Sequence, residues 1–211
     1  MDLSNDRAHQ RVNKPLATGE LSEEAVKAAT FIALTMTTFL SLSGPLGLRG
    51  GSLHLLGVGC GVAYNFYFKK RWLSPLPYLI AFAALPSCIV LSKNSTVPLW
   101  LILVGALLGL AAHFSNVVKD MEEDRAAGIM GAPQLLGDRW SLLIAGGSLI
   151  IVSIILSQST HQKFLIPAAI IAFIALLALP RKFTFPLIMA MALLDVALFL
   201  SAGAATLLLP S

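Results

Sequence analysis

The chain has 211 residues, 56% of them hydrophobic and only 12% charged, with a net charge of +4. A soluble domain carries about 25% charged residues, so this composition excludes an ordinary water-exposed globular domain and calls for lipid around the excess apolar surface. The basic balance does not indicate nucleic acid, because Lys and Arg stand at the ends of apolar runs and not in a stripe with aromatic platforms.

The N-terminal segment is polar. Asp2 and Asp6 are four residues apart, Arg11 and Lys14 follow, and Pro15 and Gly19 shape a turn. Paired carboxylates suit a divalent cation, and the two basic residues suit a diphosphate. The plain alternative is a solvated polar terminus. Ser22 is placed to cap the first long helix, with Glu23 and Glu24 in the turn where the helix dipole favours acid.

Seven apolar runs follow, over 25–44, 52–68, 76–92, 97–117, 141–157, 164–179 and 185–208. Each is near the roughly 20 residues a helix needs to cross a hydrocarbon core. None shows the roughly ten-residue alternation of a membrane strand. The expected fold is an all-α integral membrane bundle of seven spans, in a single domain over 1–211. Gly44-Pro45, Gly50-Gly51, Ser74-Pro75-Leu76-Pro77, Pro98 and Pro180 read as the breaks between runs. Gly57 and Gly61, and Gly105 and Gly109, have the four-residue spacing that lets helices approach closely. Cys60 and Cys88 fall inside apolar runs and read as small core residues. Trp72, Trp100 and Trp140 sit near span ends as interface anchors, and His54 and His161 read as surface residues.

Counting loops alternately, one side holds Arg7, Arg11, Lys14, Lys27, Lys69, Lys70, Arg71, Lys119, Arg125, Arg139, Arg181 and Lys182, and the other only Arg49, Lys93 and Lys163. Twelve against three makes the first side cytosolic. The C-terminus then lies on the opposite side, and an integral protein of the cell membrane is expected. Every carboxylate but Asp195 is cytosolic, in two segments.

The second acidic segment runs from His113 through Asn116, Lys119, Asp120, Glu122, Glu123, Asp124 and Arg125 to Gly128. On a continuous helix Asn116, Asp120 and Asp124 stack along one face at about 6 Å per step, with Glu122 pointing elsewhere. Hard oxygens at the mouth of an apolar span suit Mg²⁺, which takes one or two carboxylates, keeps waters and bridges to phosphate. A solvated acidic loop is the plain alternative. His113, one turn earlier, is a candidate contact to substrate or a packed histidine. Asp195 stands inside the last run, where an isolated carboxylate costs roughly 2.5–3.5 kcal/mol on insertion scales and must face the bundle interior. It is read as a contact to an acceptor or a proton-transfer group, or as a neutral internal hydrogen-bonding residue.

Together these segments resemble the UbiA superfamily of membrane prenyltransferases, and the similarity spans essentially the whole chain. The family's first motif is Asn-Asp-x-x-Asp-x-x-x-Asp, then an Arg, then basic-Pro-Leu-x-x-Gly-x-Ile/Leu-Ser. Asp2, Asp6, Arg11, Lys14, Pro15, Leu16, Gly19, Leu21 and Ser22 match its later part. The second motif, Asp-x-x-x-Asp-x-x-x-Gly with an Asn before it and a Leu-Gly after it, is matched by Asn116, Asp120, Asp124, Gly128, Leu136 and Gly137. Tyr64, Asn65, Lys69, Lys70 and Arg71 resemble the Tyr and Lys-Arg of the loop between the motifs.

The resemblance implies a fold in which the seven runs correspond to spans three to nine. It also implies an N-terminally shortened member, with a partial first motif over 1–24 and the second over 116–137. It implies Mg²⁺-dependent transfer of a prenyl group from a prenyl diphosphate to an aromatic or other electron-rich acceptor within the membrane. Asp2, Asp6, Asp120 and Asp124 would hold the metal, and Asn116 would act with them. Arg11, Lys14, Tyr64, Lys70, His113 and Asp195 would contact the substrates. Two other readings stand beside it: an inactive, shortened homologue that only binds isoprenoids, and a membrane transporter. Transporters show internal repeats around a midplane site, whereas no repeat is visible here and the acidic segments share one membrane face.

Overall fold

The computed structural model describes residues 15–160 and 163–201, and among these the regular structure is helical throughout. A single turn, α1 (Pro15–Thr18), precedes α2 (Glu23–Ser43) and α3 (Gly47–Ala63). A π-helical turn over Tyr64–Phe68 leads to α4 (Leu76–Ser92) and α5 (Leu99–Val118). Two short helices, α6 (Met121–Ala126) and α7 (Ala132–Leu136), come before α8 (Asp138–Thr160), α9 (Leu165–Ala178) and α10 (Thr184–Ser201).

Among the described residues each apolar run is carried by one long helix, the second run ending in the π-helical turn, as expected for backbone that must satisfy its own hydrogen bonds in lipid. By length and composition α2, α5 and α8 are each sufficient to cross a membrane, while α4 and α9 are shorter apolar helices. Ser22 caps α2 as anticipated, its Oγ accepting from the Ala25 N–H at 3.1 Å.

Consecutive helices pack side by side from α2 to α5. α5 then packs on α8, α8 on α9, and α10 lies against α5 and α8. The centre is α5, most of which is buried, whereas α2 turns nearly all its surface outward. The core runs from Leu108 and Phe114 of α5 through Leu149 and Leu156 of α8 to Leu165 and Leu176 of α9 and Ile188 of α10. Phe31, Ile32 and Phe39 on the outer face of α2 are exposed, and lipid is the solvent that makes this tolerable.

Small residues set the helix spacing, but not all at the expected points. Gly50 and Gly51 are not a break; they lie buried inside α3. A Cβ on Gly51 would meet the Ser41 carbonyl of α2, and one on Gly50 the Cys88 carbonyl of α4. The missing side chains let α3 wedge between its neighbours. His54 is half-buried, not a surface residue, and bonds Ser41 Oγ at 2.8 Å across the same interface. Pro86 within α4 has no N–H for the Phe82 carbonyl four residues back, and that carbonyl is the atom a Cβ on Gly105 would meet at 2.5 Å.

Gly109 does the same one turn along α5, 2.4 Å from the Tyr78 carbonyl by the same measure. Gly109→Val would have to push α4 away, at a cost of about 2 kcal/mol or more. A fall of several degrees in the thermal unfolding midpoint in detergent is expected, against little change for Gly59→Ala, where nothing lies within 4 Å. Equal midpoints for the two variants would rule out this contact as a determinant of stability.

Candidate functional site

At one end of the bundle three connections that are remote in sequence meet: 69–75, 119–137 and 180–184. Ser74 joins the first two. Its hydroxyl is 1% exposed, accepts the Ala132 N–H at 3.0 Å and lies 3.0 Å from His113 Nε2. With Ala132 donating, the hydroxyl proton is available to the imidazole. The third connection is tied in by Thr184 Oγ1, which donates to the Ser115 carbonyl at 3.2 Å, and by Arg181, which bridges Glu122 at 3.2 Å and Asp138.

The acidic segment is not one helix. α5 stops at Val118, the Asp120 N–H turns back to the Val117 carbonyl at 3.0 Å, and α6 starts afresh at Met121. The uninterrupted stack of Asn116, Asp120 and Asp124 is thus broken between its first two members. Asp120 and Asp124 remain one turn apart, joined by the Asp124 N–H to Asp120 carbonyl bond at 2.9 Å. The orientation of α6 is set by contacts invisible in local sequence. Glu122 is drawn to Arg181, Asp124 Oδ2 accepts from Gln134 Nε2 at 2.8 Å, and Met121 is buried against Val117 and Val118. Arg125 returns a contact from α6, donating through Nε at 3.2 Å and through Nη2 to the Gln134 carbonyl. Gly128, at φ 71°, closes α6 in the left-handed conformation that a side chain disfavours, so the Ile129 N–H can reach the Asp124 carbonyl at 2.8 Å.

The carboxylates differ in setting. Asp120 is 53% exposed, with Lys119 Nζ at 3.8 Å, a contact that solvent screens. Asp124 is partly buried and held by Gln134. Beside it an aromatic wall rises from the π turn and from α4 and α5. Tyr64 and Tyr78 meet edge-on at 5.1 Å, and the His113 ring lies 4.7 Å from Tyr78 and 5.7 Å from Tyr64. His113 is 1% exposed, and its Nδ1 has no hydrogen-bond partner among the described residues.

Of the candidate residues, then, the structure brings Tyr64, His113, Asn116, Asp120 and Asp124 to one end of the bundle, with Lys70 exposed on the adjoining connection. Asp2, Asp6, Arg11 and Lys14 lie outside the described residues. Asp195 is elsewhere. Thr184 anchors the start of α10 at this end, and Asp195 follows about 16 Å deeper at helical rise. It is fully buried, and neither carboxylate oxygen has a partner among the described residues. Trp72 and Trp140 are well exposed, as membrane-interface anchors would be. Sequence reasoning missed Ser74, Tyr78, Gln134 and Arg181. Gln134, a polar residue between Pro133 and a Leu-Leu pair, carried the one local hint.

Among the described residues no group of three or more His, Cys, Asp or Glu could enclose a metal ion. Asp120 and Asp124 are two carboxylates one turn apart at this end of the bundle. This fits Mg²⁺, which needs only one or two protein carboxylates when waters and phosphate oxygens complete its octahedron.

No curated protein and no solved structure matches the chain. The model of the UbiA prenyltransferase family matches residues 1–209. With an all-helical bundle of lipid-facing helices and an acidic pair at one end, the chain belongs to the UbiA prenyltransferase family, a family of membrane prenyltransferases.

Proposed function

We propose that this protein transfers a prenyl group from a prenyl diphosphate to an aromatic or other electron-rich acceptor within the membrane, with the acidic end of the bundle in the cytosol. The observation that carries the reading is the Asp120–Asp124 pair beside a half-buried aromatic wall at the end of an apolar bundle. Asp120 and Asp124, joined by Asp2 and Asp6 of the N-terminal segment, would hold Mg²⁺. When bound, the cation supplies neutralisation of the diphosphate charge as the allylic C–O bond breaks.

The chain's own groups do the rest. Arg11, Lys14 and Lys70 would bind phosphate oxygens. Asn116, in the last turn of α5, offers an amide one turn before Asp120. The Tyr64 phenol offers an O–H donor at the same end of the bundle. The apolar core beyond His113 excludes water from the cation left when diphosphate departs, so that an electron-rich acceptor and not water is alkylated. Asp195 provides a polar contact deep in the bundle for a substrate head group.

Purified full-length protein in nanodiscs should release diphosphate from prenyl diphosphates when Mg²⁺ is present. Release should stop in excess EDTA and return on adding Mg²⁺. No release with prenyl diphosphates of any chain length and with several aromatic acceptors would overturn the reading. Uptake of a solute into proteoliposomes without bond cleavage would replace it with transport.

A further inference from the structure

We propose that Arg71, held over Tyr67, is the centre of a binding site for the phosphate of an anionic phospholipid on the outward face of the 69–75 connection. The inference needs only the membrane setting and not prenyl transfer. The connection starts where the π turn closes. The Lys69 N–H donates to the Tyr64 carbonyl at 2.8 Å, the Arg71 N–H to the Phe68 carbonyl at 2.9 Å, and the Ser74 N–H to the Arg71 carbonyl at 2.9 Å. Ser74 is in turn anchored to Ala132. The backbone that carries Arg71 is thus fixed before any lipid arrives, which spares part of the ordering cost of binding.

The two faces of this stretch differ. Tyr64 turns inward to Tyr78 and His113, whereas Phe66, Tyr67 and Trp72 are each more than half exposed. Aromatic side chains exposed at the end of an apolar bundle belong to the headgroup layer of a bilayer. Arg71 is exposed on that outer side, its guanidinium 4.0 Å from the centre of the Tyr67 ring. The ring holds the charge but offers no oxygen to the N–H groups. Among the described residues no carboxylate forms an ion pair with Arg71. Arg181, by contrast, bridges Glu122 and Asp138, and Arg125 grips the Gln134 carbonyl. An exposed guanidinium fork matches two oxygens of a phosphate, and in the headgroup layer that phosphate belongs to a phospholipid. A headgroup of net negative charge is preferred over a zwitterionic one, whose own ammonium opposes the guanidinium.

The test titrates phosphatidylglycerol or phosphatidylcholine into the full-length protein in detergent micelles and reads the thermal unfolding midpoint. Near saturation phosphatidylglycerol should raise the midpoint about 5 °C more than phosphatidylcholine does. Arg71→Gln should raise the half-saturating phosphatidylglycerol about fivefold, the effect of one basic residue at an anionic surface. Tyr67→Leu should weaken the response in the same direction by freeing the guanidinium. Lys93→Gln removes an exposed charge at the other end of α4 and should leave the response unchanged.

If Arg71→Gln does not fold, Arg71→Lys, which keeps the charge but loses the fork, must show a weakening in its place. Equal stabilisation by the two lipids would overturn the inference. So would an unchanged titration in the folded Arg71 variant, which would put the lipid elsewhere, or an equal weakening in Lys93→Gln, which would reduce the effect to general charge attraction. A parallel titration with inorganic diphosphate and Mg²⁺, without phospholipid, separates lipid from substrate. Its midpoint shift should be the same in Arg71→Gln as in the parent. If that variant loses the diphosphate response and keeps the phosphatidylglycerol one, Arg71 belongs to the substrate site and the inference fails.

Discussion

Asp124→Asn is expected to lower prenyl-diphosphate-dependent diphosphate release at least about 100-fold at saturating Mg²⁺, equivalent to about 2.7 kcal/mol of transition-state stabilisation. The substitution removes a charge and also misdirects what remains. Gln134 Nε2 donates to Oδ2 of the native carboxylate, so an asparagine would turn its amide oxygen to Gln134 and its NH₂ toward the cation. A positively polarised group would then face the metal where a negative oxygen should be. The fold should survive, because the backbone bonds that build this turn do not use the side chain. These are the Asp124 N–H to the Asp120 carbonyl and the Ile129 N–H to the Asp124 carbonyl. Asp120→Asn should be the milder change, since Asp120 is half exposed beside Lys119 and can reorient. An Asp124→Asn protein with parental activity would remove Asp124 from the chemistry.

Ser74→Ala is the second large effect, and it acts on stability first. The buried hydroxyl satisfies the half-buried Ala132 N–H and contacts the buried His113 Nε2. Deleting it strands two polar groups at about 1–3 kcal/mol each, or roughly 2–6 kcal/mol together. For a chain of this size each kcal/mol moves the midpoint by about 2–4 °C. A drop of about 5 °C or more in detergent is therefore expected, with activity falling further than stability alone requires. The excess arises because Ser74 ties the start of α7 at Ala132 to His113 at the base of α5. A midpoint within about 1 °C of the parent would mean that water replaces the hydroxyl and that the two connections are not coupled through it.

How far the sequence alone reached follows from which forces are local. Seven apolar runs became seven helices because each run nears bilayer length and lipid leaves backbone groups no partner outside their own segment. Ser22 capped α2 because an N-cap needs only the next three residues. Gly50-Gly51 misled, since the same missing side chain that breaks a helix in water admits a neighbouring helix in a membrane bundle. The Asn116, Asp120 and Asp124 spacing named the acidic site but implied an unbroken helix. The break after Val118 becomes legible only once Arg181 and Gln134 are known to pull Glu122 and Asp124 apart.

Composition and periodicity thus decided the membrane setting, the helices and the residue types that offer a cation its oxygens, because each depends on neighbours within a turn or two. Tertiary packing alone decided that Ser74 would find His113 and Ala132, that Arg181 would find Glu122, and that a buried Gln134 would hold Asp124. Those partners are separated by ten to nearly sixty residues. Only the folding of remote connections onto one end of the bundle supplies such contacts.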